Sequence, residues 1–328
     1  MAAPQKARIV FMGTPEFAAR ILRGLLFWPK GRVVAVYTRP DRPAGRGHKI
    51  AVSPVKVLAL ASSLPVIQPL HFNSTAAFDE LAAFAPDFLA VAAYGMILPD
   101  RIIAVPRLAP LNVHASLLPL YRGAAPVQRA LMENWHDGAV TGVSVMHMVS
   151  QLDAGPVYAV QTVPISDSTA GQMQDLLAQE GSRLLCAVMD DLLSGRANPG
   201  KQDSDKASYA AKIRKKDLII NWNLPALAVH AHLRALAPWP SARALFRFVG
   251  WTDDWSLLLF PGFPGDPLTG ETPGVLSHTR HALAVACADR WYELDLVRPE
   301  GSATMSVRDF VNGRLRGMPY GLCGAALS

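Results

Sequence analysis

From residue 8 to residue 163, short apolar runs recur with helix-spaced stretches between them, and this alternation constrains the fold more than any other feature of the chain. Arg8 to Met12 has the pattern of a buried strand, closed by Gly13. Thr14-Pro15-Glu16 follows as a helix start, with a hydroxyl cap, proline at the first helical position and an acid in the first turn. Phe17, Ile21, Leu25 and Leu26 give that helix an apolar face. Val33 to Tyr37 and Phe88 to Ala93 are further strands, the second preceded by a helical stretch near Ala76 to Phe84. Leu111 to His114, Thr141 to Met148 and Val157 to Val163 continue the series. Strands alternating with helices of this length predict an α/β fold with a parallel, doubly wound sheet.

A long helix is expected from about Ser168 to Leu193, with Met173, Leu176, Leu177, Leu184 and Val188 on one face. Ser194-Gly195 ends it, and the polar, breaker-rich run from Asn198 to Asp205 is a linker pattern. Beyond it come a helix near Leu224 to Leu236 and short strands such as Leu257 to Phe260, Ala282 to Cys287 and Trp291 to Leu296, with Pro and Gly crowding residues 261–274. That texture predicts a small β-barrel. At 328 residues the chain has room for two domains. The expected division is 1–195, a linker at 196–207, and 208–328.

Composition narrows the class. Half the residues are hydrophobic and 18% are charged, a globular balance. The longest apolar runs stop far short of the roughly 20 residues that a membrane span requires. Lys6 and Arg8 lead straight into the first strand with no leader-type cleavage site, and Cys186, Cys287 and Cys323 are odd in number and scattered. A reducing, cytoplasmic setting is therefore expected, with neither a disulfide framework nor a metal cluster. Charge is unevenly spread. Residues 1–50 carry ten basic and two acidic side chains, and residues 201–250 carry nine and three, although the chain as a whole is only +6. Two separated basic zones suit one polyanion touched in two places; a soluble surface that clusters its lysines is the alternative.

The chemistry concentrates in Asn112-Val113-His114-Ala115-Ser116-Leu117-Leu118-Pro119. In a strand, residues two apart share a face, so Asn112 and His114 project together. In an open parallel sheet, ligands bind at the carboxyl ends of the strands. An amide and an imidazole there can donate to an oxygen that becomes negative, and the imidazole can also move a proton. Asp153 lies in a turn just after the strand Thr141 to Met148; if that strand neighbours the one ending at His114, the carboxylate can orient the ring. With no activated nucleophile at hand, direct transfer through a stabilised tetrahedral species is indicated, and nothing marks Ser116 as a nucleophile.

These residues, with Phe11 to Phe17, Pro40-Asp41-Arg42-Pro43-Ala44-Gly45-Arg46-Gly47, Ser53 to Lys56, Ala93 to Pro99 and Tyr121 to Pro126, resemble the methionyl-tRNA formyltransferases. The resemblance extends through Tyr209 to Ile213, Pro238-Trp239-Pro240 and Met305 to Gly313. Asn-x-His-x-Ser-Leu-Leu-Pro with a later Leu-Asp-x-Gly marks the folate-dependent formyltransferase superfamily, and the basic loop and C-terminal region narrow it to the tRNA enzymes. The resemblance implies a Rossmann-like formyltransferase domain followed by a barrel of oligonucleotide-binding type. It implies transfer of the formyl group of 10-formyltetrahydrofolate, a co-substrate, to the α-amino group of methionine on initiator tRNA. No metal, membrane or obligatory protein partner is implied. Carried over by position, Asn112, His114 and Asp153 are the catalytic residues. Ser116, Leu117, Leu118 and Pro119 match the folate motif, and Met96, Ile97 and Leu98 would present backbone to the pterin. Arg42, Arg46 and Lys49 would enter the acceptor arm, Arg46 foremost, while Lys212, Arg214, Lys215 and Lys216 would hold the tRNA body.

The chain departs from the family at Gln151, where glycine is usual, and at Lys216 and Asn221, where acidic residues are usual. Other readings fit less well. Gly13 stands alone, without the Gly-x-Gly-x-x-Gly of a dinucleotide site, and there is no P-loop. His230 and His232 are two apart on a helix and so point apart, against a shared ion. His278 and His281 are expected to be solvated, His147 to be a supporting or core residue, and Trp239, Trp251 and Trp255 to be barrel core. Two rivals remain: a formyltransferase acting on a sugar nucleotide or on glycinamide ribonucleotide, which would keep the same centre without needing the basic loop or a basic barrel, and a non-catalytic tRNA-binding protein built on a dead formyltransferase domain, against which the intact Asn112, His114 and Asp153 argue.

Overall fold

The computed structural model describes residues 6–44 and 49–327, with the side chains of 43, 44, 49 and 50 left aside. Residues 6–126, 141–163 and 174–210 form one compact unit, and 127–140, 164–173 and 211–327 form a second.

The first unit is built on a seven-stranded sheet. Its strands are β1 (Ala7–Gly13), β2 (Gly31–Tyr37), β3 (Val66–Ile67), β4 (Phe88–Ala92), β5 (Ala109–His114), β6 (Val140–His147) and β7 (Val157–Pro164), in the spatial order β7-β6-β5-β4-β1-β2-β3. Helices α1 (Glu16–Leu26), α2 (Pro54–Ala61) and α3 (Thr75–Ala83) alternate with the first strands. β1 is parallel to β2 and β4, and β4 is parallel to β5. Strand β6, however, runs antiparallel to β5, so the sheet is mixed where alternation predicted an all-parallel one. The physical reason is the edge to which the chain returns: β6 comes back beside β5, and an antiparallel return needs no crossover of its own. β1 and β4 are apolar on both faces because both are covered, with Ile9, Val10, Phe11, Met12, Phe88 and Leu89 buried.

The start of α1 differs from expectation. Pro15 occupies the cap position without a side-chain bond, and the Thr14 hydroxyl instead donates 2.8 Å to the Tyr94 carbonyl. A hydroxyl has one proton to give, and here it ties the loop after β1 to the loop after β4. In α2, by contrast, Ser53 does cap, accepting the Lys56 amide at 3.1 Å, with Pro54 opening the helix.

The second unit is a nine-stranded antiparallel sheet curled as a half-barrel. Its strands are β8 (Ala242–Phe248), β9 (Trp255–Leu259), β10 (Phe263–Pro267), β11 (Val275–His278), β12 (Leu283–Ala286), β13 (Arg290–Glu293), β14 (Leu296–Pro299), β15 (Met305–Ser306) and β16 (Gly321–Leu327), ordered β10-β13-β12-β11-β16-β8-β9-β14-β15. Its core joins residues of these strands to Val229, Leu233 and Leu236 of the helix Ala226–Leu236 and to Phe310 and Val311 of the helix Val307–Arg314. In β8 the alternation Ala242, Ala244, Phe246, Phe248 inward and Arg243, Leu245, Arg247 outward is a half-buried strand in pure form. The Pro-rich stretch holds a strand the sequence did not announce: β10 contains Pro264 and Pro267 and lies at the sheet edge, where a missing N–H breaks no inner ladder. Trp251 and Trp255 pack against the core as expected, but Trp239 is 79% exposed. His278 is buried with Nε2 2.8 Å from the Pro319 carbonyl, not solvated like His281, because it closes β11 facing inward.

Candidate active site

Three loops leave the carboxyl ends of adjacent parallel strands: Thr14 after β1, residues 93–98 after β4, and residues 115–121 after β5. His114 is the last residue of β5 and Asn112 stands two before it, paired in register with Met146 of β6 and Val91 of β4. His114 is buried and Asn112 half-buried. The imidazole Nε2 lies 2.9 Å from the Tyr121 carbonyl. A carbonyl can only accept, so Nε2 carries the proton and Nδ1 is the nitrogen left for exchange. Nδ1 faces Asp153 Oδ2 at 3.7 Å, longer than a hydrogen bond. The Asn112 side-chain amide makes no hydrogen bond among the described residues.

The Asp153 loop is held in an unusual shape. Asp153 has φ +49°, in the left-handed region, and its Oδ2 accepts the Gly123 amide at 2.9 Å. Tyr121, at φ +57°, gives the neighbouring loop the same kind of bend. Clusters of such residues are characteristic of sites where geometry is imposed by the surroundings. Gly155 is required by space: a Cβ there would come within 1.8 Å of the His147 carbonyl oxygen. That contact explains the glycine of Leu152-Asp153-Ala154-Gly155, and the loop keeps its shape with Gln151 exposed in front of it.

The other expected residues divide. Ser116 is fully buried and its hydroxyl donates 2.6 Å to the Leu120 carbonyl, so its side chain shapes the turn 116–120. Ser144 of β6 braces the same turn, donating to the Ser116 carbonyl at 2.7 Å and accepting the Leu118 amide at 3.1 Å. Leu118 and Leu98 are buried, Leu117, Pro119 and Met96 are half-buried, and Ile97 is 92% exposed. Positive φ at Ala93 and Gly95 bends the 93–98 loop beneath it.

Of the basic loop, Arg42 is exposed; Arg46 lies outside the described residues, as does the side chain of Lys49. The loop's base is anchored. Lys56 Nζ reaches Asp41 Oδ2 at 2.5 Å and Gln68 Oε1 at 2.7 Å, while Gln68 Nε2 donates to the Arg39 carbonyl and Asp41 Oδ1, both at 2.9 Å. The Lys56 bond holds the Asp41 carboxyl below its ordinary range. In the second unit, Lys212, Arg214, Lys215 and Lys216 are all exposed and form no salt bridge among the described residues. Asp217, beside the departure at Lys216, accepts the Arg214 amide at 2.7 Å and pairs with Arg129 at 3.0 Å, shaping the segment that carries them. Asn221, the other departure, accepts the Asn223 amide at 3.1 Å and so closes a local turn.

Two residues that the sequence did not mark complete the site: Arg122, almost wholly buried, and Gln202, whose amide meets it. Arg122 lies within the motif Tyr121 to Pro126 but carried no role there, and Gln202 lies in no motif; the bonds from Gly200 to Val157 and the pairing of residues 122–123 with 209–210 bring the two together. No group of three His, Cys, Asp or Glu side chains among the described residues could hold a metal. His230 and His232 are each engaged elsewhere, on Tyr292 with Asp167 and on the Asp217 carbonyl.

Residues 7–189 match the family described as "Formyl transferase", and residues 212–315 match "Formyl transferase, C-terminal domain". The methionyl-tRNA formyltransferase of Desulfovibrio desulfuricans is 51% identical over 332 residues, covering 100% of this chain and 98% of its own length. That of Nitratidesulfovibrio vulgaris is 44% identical over 319 residues, 96% of this chain and 95% of its own. Among solved structures, HypX from Aquifex aeolicus in complex with tetrahydrofolic acid superimposes with a TM-score of 0.63 at 18% identity, over 95% of this chain and 48% of that one. An N-formyltransferase from Helicobacter canadensis gives 0.59 at 14%, over 88% and 98%. At these identities the two structures show a shared fold.

Proposed function

The chain belongs to the methionyl-tRNA formyltransferase family, and we propose that Asn112, His114 and Asp153 are the groups with which it moves a formyl group from 10-formyltetrahydrofolate to the methionine amine of initiator tRNA. The observation that carries this reading is the exchangeable His114 Nδ1 facing Asp153, with an uncommitted Asn112 amide on the same strand face. The neutral amine attacks the formyl carbon, and a C–N bond forms as the carbonyl oxygen becomes negative. Asn112 donates to that oxygen, and its amide needs no rearrangement to do so. His114 takes the amine proton at Nδ1, and the imidazolium is stabilised by Asp153. Cleavage of the bond to the folate nitrogen, with that proton delivered to it, releases tetrahydrofolate.

The turn 116–119 and residues 96–98 would line the folate. Leu98, Leu117 and Leu118 would act by packing, and Met96 and Ile97 by contact. Arg42, Arg46 and Lys49 would meet the acceptor end, while Lys212, Arg214 and Lys215 would meet the tRNA body, giving affinity that falls with salt. Residues 1–195 would form the catalytic domain and 208–328 the tRNA-binding domain. We place the reaction in the cytoplasm because the relatives act on methionyl-tRNA; separately, no helix among the described residues is long and apolar enough to cross a membrane.

The test offers charged initiator tRNA, charged elongator tRNA and a sugar-nucleotide amine in parallel with labelled 10-formyltetrahydrofolate. Formylation of initiator tRNA alone is expected. Replacing Asn112, His114 or Asp153 by Ala should abolish turnover while tRNA binding survives. Turnover of the sugar amine with both tRNAs inert would overturn the assignment of the basic segments, and a joint fall in binding and turnover would overturn the assignment of the centre.

A further inference from the structure

The segment 198–205 has the composition of a spacer, yet Gln202 is built into the catalytic unit. Its carboxamide uses all four of its hydrogen-bonding positions. Oε1 accepts from Arg122 Nε at 3.1 Å and from the Arg122 terminal nitrogen at 2.7 Å, while Nε2 donates to the Asp153 carbonyl at 2.8 Å and to the Gly155 carbonyl at 2.7 Å. The two carbonyls are that of Asp153, which takes φ +49°, and that of Gly155 two residues on, so the amide grips the loop at and just after the bend. On the other side, Gly123, next to Arg122, donates its amide to Asp153 Oδ2, the same oxygen that faces His114. Backbone bonds fix both ends of this frame. Gly200 exchanges two hydrogen bonds with Val157, at 2.8 and 2.9 Å, and Ser208 accepts the Tyr121 and Arg122 amides, both at 2.9 Å. A single neutral amide thus joins a buried guanidinium to the loop carrying the carboxylate. Only an amide can do both, because one end must accept from a cation while the other donates to carbonyls.

We propose that Gln202 is a positioning residue that sets the distance between the Asp153 carboxylate and His114, so that the spacer-like segment 198–205 of the first unit takes part in the chemical step. This rests on the proposed role of Asp153. It also accounts for why the Asp153 bend tolerates a glutamine at 151: the loop is fixed by Gln202 and by the close approach of Gly155 to His147, not by backbone freedom at 151.

The test compares Gln202→Glu, Gln202→Asn and Asp153→Asn, alone and combined, in the full-length enzyme. Glu keeps a partner for Arg122 but turns an acceptor toward two carbonyls, and Asn keeps the amide on an arm one carbon shorter. A misplacement on the ångström scale costs up to about 10²-fold in rate, so kcat should fall roughly 10- to 100-fold in Gln202→Glu and less in Gln202→Asn. KM for both substrates and the unfolding midpoint of Gln202→Glu should stay close to the parent. In the Asp153→Asn background, Gln202→Glu should cost nothing more. If both Gln202 variants keep kcat, or raise KM alone, or multiply the loss in the Asp153→Asn background, the proposal is overturned. If Asp153→Asn itself turns over normally, it is the reading of the centre that fails. If Gln202→Glu does not fold, the same decision is read from Gln202→Asn.

Discussion

His114 and His230 each stand against a carboxylate, and the contrast between them separates a centre with capacity left to react from one that holds a fold together. His230 Nδ1 accepts the Tyr292 hydroxyl and its Nε2 donates to Asp167 Oδ1, both at 2.7 Å, while the Tyr292 oxygen accepts the Gly262 amide at 2.7 Å. Arg234, beside it, donates to the Ser166 and Ser168 carbonyls. Every polar position of that imidazole is used, and it sits among buried groups of the second unit. His114 has the looser arrangement, with one nitrogen fixed by Tyr121 and the other 3.7 Å from its carboxylate. Of the two, the shorter His–Asp contact is the structural one. A satisfied network has nothing to offer a substrate.

The comparison breaks most sharply under substitution. Asp153→Asn or His114→Asn should lower kcat by about 10²–10⁴, the range for loss of a proton-transfer group, with little change in the unfolding midpoint. His230→Ala should do the reverse, leaving kcat near the parent value while destabilising the second unit by roughly 1–3 kcal/mol through the stranded, buried Tyr292 hydroxyl. Steady-state kinetics and urea unfolding on the same preparations decide it. A catalytic collapse in His230→Ala at unchanged stability would erase the distinction. Gly155→Ala comes next. With 1.8 Å between the new Cβ and the His147 carbonyl, the Asp153 loop must shift, and a kcat loss approaching 10²-fold is expected. Unchanged turnover there would mean that the loop's shape is immaterial.

The same contrast explains what could be read from sequence. The α/β alternation, the Asn112–His114 pair and the adjacency of Asp153 follow from periodicity and motif, because strand neighbours and same-face residues are local facts. Four features were not local. Thr14 looks like a cap until Tyr94, eighty residues away, supplies a carbonyl. The reversal of β6 depends on which edge the chain returns to. His278 and Trp239 exchanged their expected environments: His278 is buried by its inward register in β11, which hydropathy around a single residue does not specify, and Trp239 is exposed because it stands in the turn before β8 and not in the sheet. Gln202, finally, lies in a run whose composition speaks only of solvent. Its partners are 47, 49 and 80 positions distant.

Acid sharpens the comparison further. Burial holds His230 and His232 below their ordinary value of 6.5, as it does His147 in the first unit. A histidine kept neutral in the native state binds fewer protons than the unfolded chain once pH falls below about 6.5, so stability is complete above that value and is lost progressively beneath it. The urea midpoint should therefore drop between pH 7.5 and pH 5.5. Tryptophan emission reports it, since Trp222, Trp251 and Trp255 lie in or against the second unit's core. Exchange of His230 for Gln should flatten that dependence. A slope identical to the parent's would mean that His230 is not among the groups that resist protonation.

The smallest effect is expected where polar groups are least committed. Lys212 and Lys215 are exposed and unbridged, so replacing either by Ala should alter stability by no more than about 0.5 kcal/mol. Their contribution should emerge only with tRNA present. Loss of one phosphate contact weakens binding and reduces the steepness of its salt dependence by about one. Asp217→Asn tests the same surface from beneath. Arg129 pairs with Asp217 and also donates 3.1 Å to the Ala211 carbonyl, so the pair spans the segment bearing these lysines. Disturbing it should loosen several cations at once and lower the salt slope by more than either single lysine does. Equal slopes in Asp217→Asn and Lys215→Ala would show that the lysines act as independent charges on a flexible arm. A larger drop in Asp217→Asn would show that the arm is preorganised and that, like the loop at Asp153, its function depends on bonds made away from the substrate.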